Sequence, residues 1–115
     1  KIPLVWVGGA VKAHQEINQF CNQTDLAATL LAQLHLSHEA FRWSRDVLST
    51  SYQYPFAVHN YNNGFSLTDS TGFIVYDLGA SQLIRAESSQ SQRLERIGKA
   101  ILQTTTADLK SLGTN

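Results

Sequence analysis

Four histidines, nine acidic residues, one cysteine and many serines are the side chains here that could bind a metal or attack a substrate. His35 and His38 stand three residues apart with Glu39 next to the second, a spacing that can put two ligands on one helical turn. They also fall where an apolar helical pattern runs out, and a histidine at a helix end commonly serves the dipole instead. The plainer role is the expectation. His14 lies alone in a polar stretch. His59, in "VHNYNN", belongs on a strand close to a hairpin tip. The chain has no G-x-S-x-G elbow to expose a nucleophilic serine, and Cys21 lacks a local partner signature. Asp25, Asp46, Asp69 and Asp77 therefore have no nucleophile to serve. Gly8-Gly9 follows an apolar run, but neither phosphate-cradling glycine pattern is present, so the pair reads as a turn. Arg42, Trp43 and Arg45 interleave cation and ring in a way that could stack on a base or hold an anion. Packing around a structural ion pair to Asp46 is the simpler expectation. No complete catalytic set and no metal ligand set emerges.

These side chains must be carried by a small frame. At 115 residues and 43% hydrophobic, the chain holds one modest core. Nine basic and nine acidic residues cancel, which leaves no electrostatic footprint for nucleic acid. A single cysteine excludes an intrachain disulfide framework. No run of about 18 apolar residues is present to span a bilayer as a helix.

Ile2 to Val7 reads as a strand. Leu4 to Val7 carry no polar break, the pattern of a strand covered on both faces in a parallel sheet. Residues 10–22 read as loop. In "NQTDLAATLLAQLHL", Thr24 or Asp25 can cap a helix whose Leu26, Leu30 and Leu34 form a stripe, expected to face a core. "SHEAFRWSRDVLS" is a turn or short helical piece. From Pro55 onward three or four short strands follow. They include Phe65–Thr68, Phe73–Asp77 and Gln82–Arg85, with Asn63-Gly64 as a type I′ hairpin turn and Asp69–Gly72 and Asp77–Gly79 as further breaks. Leu94, Ile97, Ile101 and Leu102 mark a last helix, extended by Leu109 and Leu112 beyond a weakening run of threonines at 104–106. The expected fold class is α+β. It consists of an orphan strand and helix from a larger α/β sheet (residues 1–50), then a small antiparallel sheet packed by a C-terminal helix (residues 51–115). The opening strand has no parallel partner in the chain. Together with the absence of any methionine, this makes the chain read as a piece of something larger, whose uncovered strand would invite self-association.

The order of local patterns carries a resemblance. "IPLVWVGG", "QTDLAATLL", "SRDVLS" and "GFIVYDL" together resemble the C-terminal end of sulfatase-like enzymes of the alkaline phosphatase superfamily, in particular the lipoteichoic acid synthase and phosphoglycerol transferase type. Gln23, Asp25, Leu26, Thr29, Leu30 and Leu31 match that family's Gln-x-Asp helix, with Ala28 where proline is usual. Ser44 stands for the glycine of the next motif, ahead of Arg45, Asp46 and Val47. The likeness covers residues 1–86. It implies a metal-dependent parent (Mn, Mg, Ca or Zn) that transfers or hydrolyses phosphate or sulfate esters, anchored so that its catalytic part lies outside the cytoplasmic membrane. It further implies that nucleophile and metal ligands lie upstream, so that this chain holds no catalytic residue, no metal ligand and no cofactor, and has the upstream catalytic part as its partner. Two other readings compete. One is a binding module with Arg42, Trp43, Tyr52, Tyr54 and Tyr61 as an aromatic surface. The other is a small self-contained hydrolase.

Overall fold

The alternating Phe65-Ser66-Leu67-Thr68 and the continuous apolar run Phe73–Tyr76 fold into the centre of a sheet, where every second side chain falls on one face. The computed structural model describes residues 2–8 and 11–113. Its elements run α1 (Asp25–Gln33), β1 (Ala57–Tyr61), β2 (Gly64–Asp69), β3 (Gly72–Asp77), β4 (Gln82–Ser88) and α2 (Ser91–Leu112). The four strands form one antiparallel meander in the order β1-β2-β3-β4. With α2 packed on it, the expected α+β class is the observed one.

Register sets the core. Phe65 pairs with Tyr76 and Leu67 with Ile74, all four buried on the same face. The rings of Phe65 and Tyr76 stack with centroids 5.4 Å apart. Leu94 of α2 closes over this layer, with Ile97, Ile101 and Leu102 at its rim. Gly98 faces the Phe65 ring so closely that a Cβ there would overlap it. Residue 98 is thus where the helix descends onto the sheet. In the β2–β3 hairpin Gly72 has φ +127°, and any Cβ would run into the Glu87 carbonyl of β4. Between β3 and β4 the register shifts after Val75, leaving Ile84 as the extra residue of a bulge.

Several expectations are corrected. Ile2–Val7 forms no strand, and Ile2, Leu4, Val5 and Val7 are exposed. An apolar run makes a strand only where a neighbouring edge accepts its hydrogen bonds, and among the described residues none does. Gly8 has φ +134°, but Gly9 lies outside the described residues, so the expected Gly8-Gly9 turn is described only in part. The β1–β2 loop is Asn62-Asn63, one residue earlier than expected. Neither residue has positive φ, so the turn is not type I′. Gly64 instead opens β2, where a side chain would strike Tyr61 and the Tyr76 carbonyl. The threonine run does not break α2. Thr104 and Thr105 turn their hydroxyls back to the carbonyls of Ala100 (2.7 Å) and Ile101 (2.8 Å), a bond made inside the helix. Leu109 and Leu112 extend the helix but not the core, since both are exposed.

The largest correction concerns α1. Its buried side consists of Asp25, Ala28 and Thr29, whereas Leu26, Leu30 and Leu34 face solvent. The helix has turned its leucines away from the rest of the chain. A polar attraction on the opposite side holds it so.

Candidate functional site

That attraction is the carboxylate of Asp25, 1% exposed at the first position of α1. Thr24 makes no capping bond. Asp25 itself accepts from the Asn22 backbone N–H at 2.9 Å and from Arg45, through its backbone N–H (3.0 Å), Nε (3.2 Å) and Nη2 (2.8 Å). The ion pair is therefore a two-pronged guanidinium–carboxylate fork, the strong geometry for this pair. Arg45 also donates from Nη1 to the Tyr54 carbonyl and from Nη2 to the Phe56 carbonyl, both at 3.2 Å. Its guanidinium lies 4.0 Å from the centre of the Phe56 ring and 4.7 Å from that of Tyr52. The expected pairing of this arginine region with Asp46 is not observed. Asp46 accepts from the Leu48 N–H, closing a local turn. Arg42 and Trp43 instead reach α2, giving 2.6 and 2.8 Å bonds to Asp108 from Nη1 and Nε1.

Neighbouring bonds seal the joint. The Ser44 hydroxyl accepts from the Ala28 N–H at 2.7 Å, so a distant loop is tied to the first turn of α1. The Thr29 hydroxyl donates to the Asp25 carbonyl and accepts from the Val47 N–H. Asn22 accepts from the Val58 N–H at 2.7 Å and so ties the helix entry to β1. The Tyr52 hydroxyl donates to the Phe20 carbonyl. Burial pushes the Tyr52 hydroxyl up to about 12, with Asp25 and Cys21 adding to it and Arg45 opposing.

A second centre lies beyond Tyr54. Asp69, 2% exposed, accepts from the Thr71 N–H (2.8 Å) and hydroxyl (2.6 Å), the Tyr54 hydroxyl (2.8 Å) and Arg93 Nη1 (3.1 Å). Burial alone would push this carboxyl up. The donors from Thr71, Tyr54 and Arg93 outweigh burial and hold it below the usual carboxylate range. Tyr54 joins the two centres, its carbonyl on Arg45 and its hydroxyl on Asp69.

This arrangement fastens elements and leaves little for chemistry. The oxygens of Asp25 and Asp69 are filled by N–H and O–H donors, so neither is free to take a substrate proton or to ligate an ion. No buried side-chain nitrogen or oxygen among the described residues lacks a partner. His35 is the C′ residue of a Schellman motif. It has φ +57° and gives its N–H to Ala32, while the Leu36 N–H reaches Leu31 at 2.9 Å. His14 and His59 are exposed. Burial and Asp25 push the Cys21 thiol up, against the pull of Arg45, which is the reverse of what an activated nucleophile needs. A shallow cleft of about 300 Å³ beside Arg45 is lined by His38, Asp46, Ser49, Ser51 and neighbours. Its Ser49 and Ser51 hydroxyls bond to each other at 2.8 Å. Among the described residues no three His, Cys, Asp or Glu side chains are grouped to hold a metal ion. The hydroxyls of Tyr52, Tyr54 and Tyr61 are all bound within the chain, as are the polar ends of Arg42 and Trp43.

Sequence reasoning singled out Asp25 as a cap and Arg45 as half of an ion pair, but not their union. It missed Asn22, Arg93 and Asp108 altogether, each of which bonds to a residue between 24 and 66 positions away. Comparison of the chain with protein-family models, with curated protein sequences and with solved structures finds no match.

Proposed function

We propose that this chain is the non-catalytic C-terminal part of a metal-dependent, sulfatase-like enzyme of the phosphoglycerol or phosphoethanolamine transferase type, or of a related phosphoric or sulfuric ester hydrolase. One observation carries the reading. The residues that make the resemblance, Gln23-Thr24-Asp25-Leu26 and Ser44-Arg45-Asp46-Val47, lie about twenty positions apart. In the fold they lock together through the Asp25–Arg45 pair and the flanking Ser44 and Thr29 bonds. A shared motif order is more telling when its members touch. Within this reading, the chain's work is to brace: Arg45 and Asp25 pin α1 to the segment leading into the sheet. Within the same reading the parent's divalent ion is held elsewhere, and the two buried carboxylates here serve Arg45 and Arg93. The ion belongs with upstream residues, as do the nucleophile and the substrate pocket. The catalytic part would lie on the outer side of the cytoplasmic membrane, held there by its own anchor. No helix among the described residues is long and apolar enough to cross a membrane.

The test has two arms. The purified chain, given p-nitrophenyl phosphate, bis-p-nitrophenyl phosphate or p-nitrophenyl sulfate with Mn²⁺ or Mg²⁺, is expected to turn over none of them. Turnover lost in His59→Ala would overturn the proposal. The reading frame upstream of Lys1 is expected to encode an Asp-His pair shortly before the Ile-Pro segment, and a frame that starts at Lys1 would equally sink it.

A further inference from the structure

We infer that the leucine side of α1 is a self-complementary surface, and that its partner in the 115-residue chain is a second copy paired across a two-fold axis through Leu30. Three observations lead there. First, the side is apolar and open: Leu26, Leu30 and Leu34 are 39, 45 and 54% exposed. Second, the leucines fall at i, i+4 and i+8. An antiparallel copy of the helix then sets Leu30 on Leu30 and Leu26 on Leu34, the condition for a closed pairing in which both copies use the same patch. Third, the side carries no charge. Asp25 is the one ionisable residue in α1, and it is buried on the opposite side and held by Arg45. A two-fold axis brings like against like, so a charged face would repel its own copy.

The area agrees with a weak dimer. At the exposures above, these three leucines with half-buried Ala27 and Leu31 offer roughly 200–250 Å² of apolar surface. A specific interface needs about 500 Å² a side, of which a little over half is apolar. The patch by itself falls just short of that bound, so the association is expected to be weak. This inference is independent of the enzymatic reading. Either can fail with the other intact, because one concerns α1 in the present chain and the other concerns ancestry and catalysis.

Sedimentation equilibrium of the chain across the micromolar range is expected to show monomer and dimer. Leu30→Glu, which faces two carboxylates at the axis, is expected to weaken association by about a hundredfold or more with unchanged far-ultraviolet dichroism. Leu30→Lys should do the same, and an equimolar mixture of the two variants should recover a heterodimer. Should Leu30→Glu fail to fold, Leu34→Glu, at the more exposed end of the stripe, takes its place, with Leu26→Lys as its complement. A wild-type chain that stays monomeric, a Leu30→Glu chain that stays dimeric, or a charge-complementary mixture that stays apart would each overturn the inference.

Discussion

At the scale of single residues, the fold rests on two buried carboxylates used in different ways. Asp25 is neutralised by a guanidinium that has little other freedom, since its remaining donors sit on the Tyr54 and Phe56 carbonyls and its faces on two rings. Removing one partner of such a pair strands the other away from water. Arg45→Ala is expected to cost about 3–5 kcal/mol in chemical denaturation. Arg45→Lys should recover only part of that loss, because an ammonium cannot fork onto Asp25 and reach both carbonyls. A lysine variant as stable as the parent would show that charge alone matters. Asp69 makes a prediction about acid. Its carboxyl is held below the ordinary value of 3.8 in the folded state. The stability it contributes is thus complete above about pH 4 and is lost as pH falls through the depressed folded value. Urea midpoints of the wild type should drop in that window more steeply than those of Asp69→Asn. Parallel curves would mean that the carboxyl is not the acid-sensitive group.

At the scale of elements, the meander and α2 were legible in the sequence, and α1's orientation was not. Phe65-Ser66-Leu67-Thr68 alternates and Phe73–Tyr76 is a short β-branched and aromatic run between turn residues, both local signals of strands. The stripe of Leu26, Leu30 and Leu34 is equally regular, yet periodicity reports only that a helix has two sides. Which side turns inward depended on Arg45, twenty residues on, and no local pattern encodes that choice. The Asn63-Gly64 dipeptide misled for a related reason: Gly64 was needed to clear the Tyr76 carbonyl, not to supply positive φ. The end of α1 offers a clean test at this scale. His35 occupies a left-handed position that glycine fills without a Cβ clash. His35→Gly is expected to raise stability by about 1 kcal/mol, read from the thermal midpoint. A metal-binding role would instead require the histidine, and added Zn²⁺ should leave the midpoint of neither form changed.

At the scale of the whole molecule, contacts divide by distance along the chain. The sheet and α2 are built from neighbours in sequence, hairpin upon hairpin, whereas the first fifty residues are tied on by a few polar bonds. Residues 2–8 and 11–18 carry no regular secondary structure and are almost wholly exposed. Limited proteolysis is therefore expected to cut there first, leaving a product that begins near Gln19 and still melts cooperatively. First cleavage inside 57–112 would contradict this division. The same layout gives meaning to one small detail, the two carbonyls that Arg45 reaches on either side of Pro55. A proline brings no hydrogen of its own to share, so that short bridge into the sheet shows its neighbour mostly oxygen. Only a wide, flat, permanently positive group can answer both oxygens at once while lying flush against the rings beside them. The bend that launches the sheet and the residue that steadies α1 are thus one fitting, held by the same guanidinium.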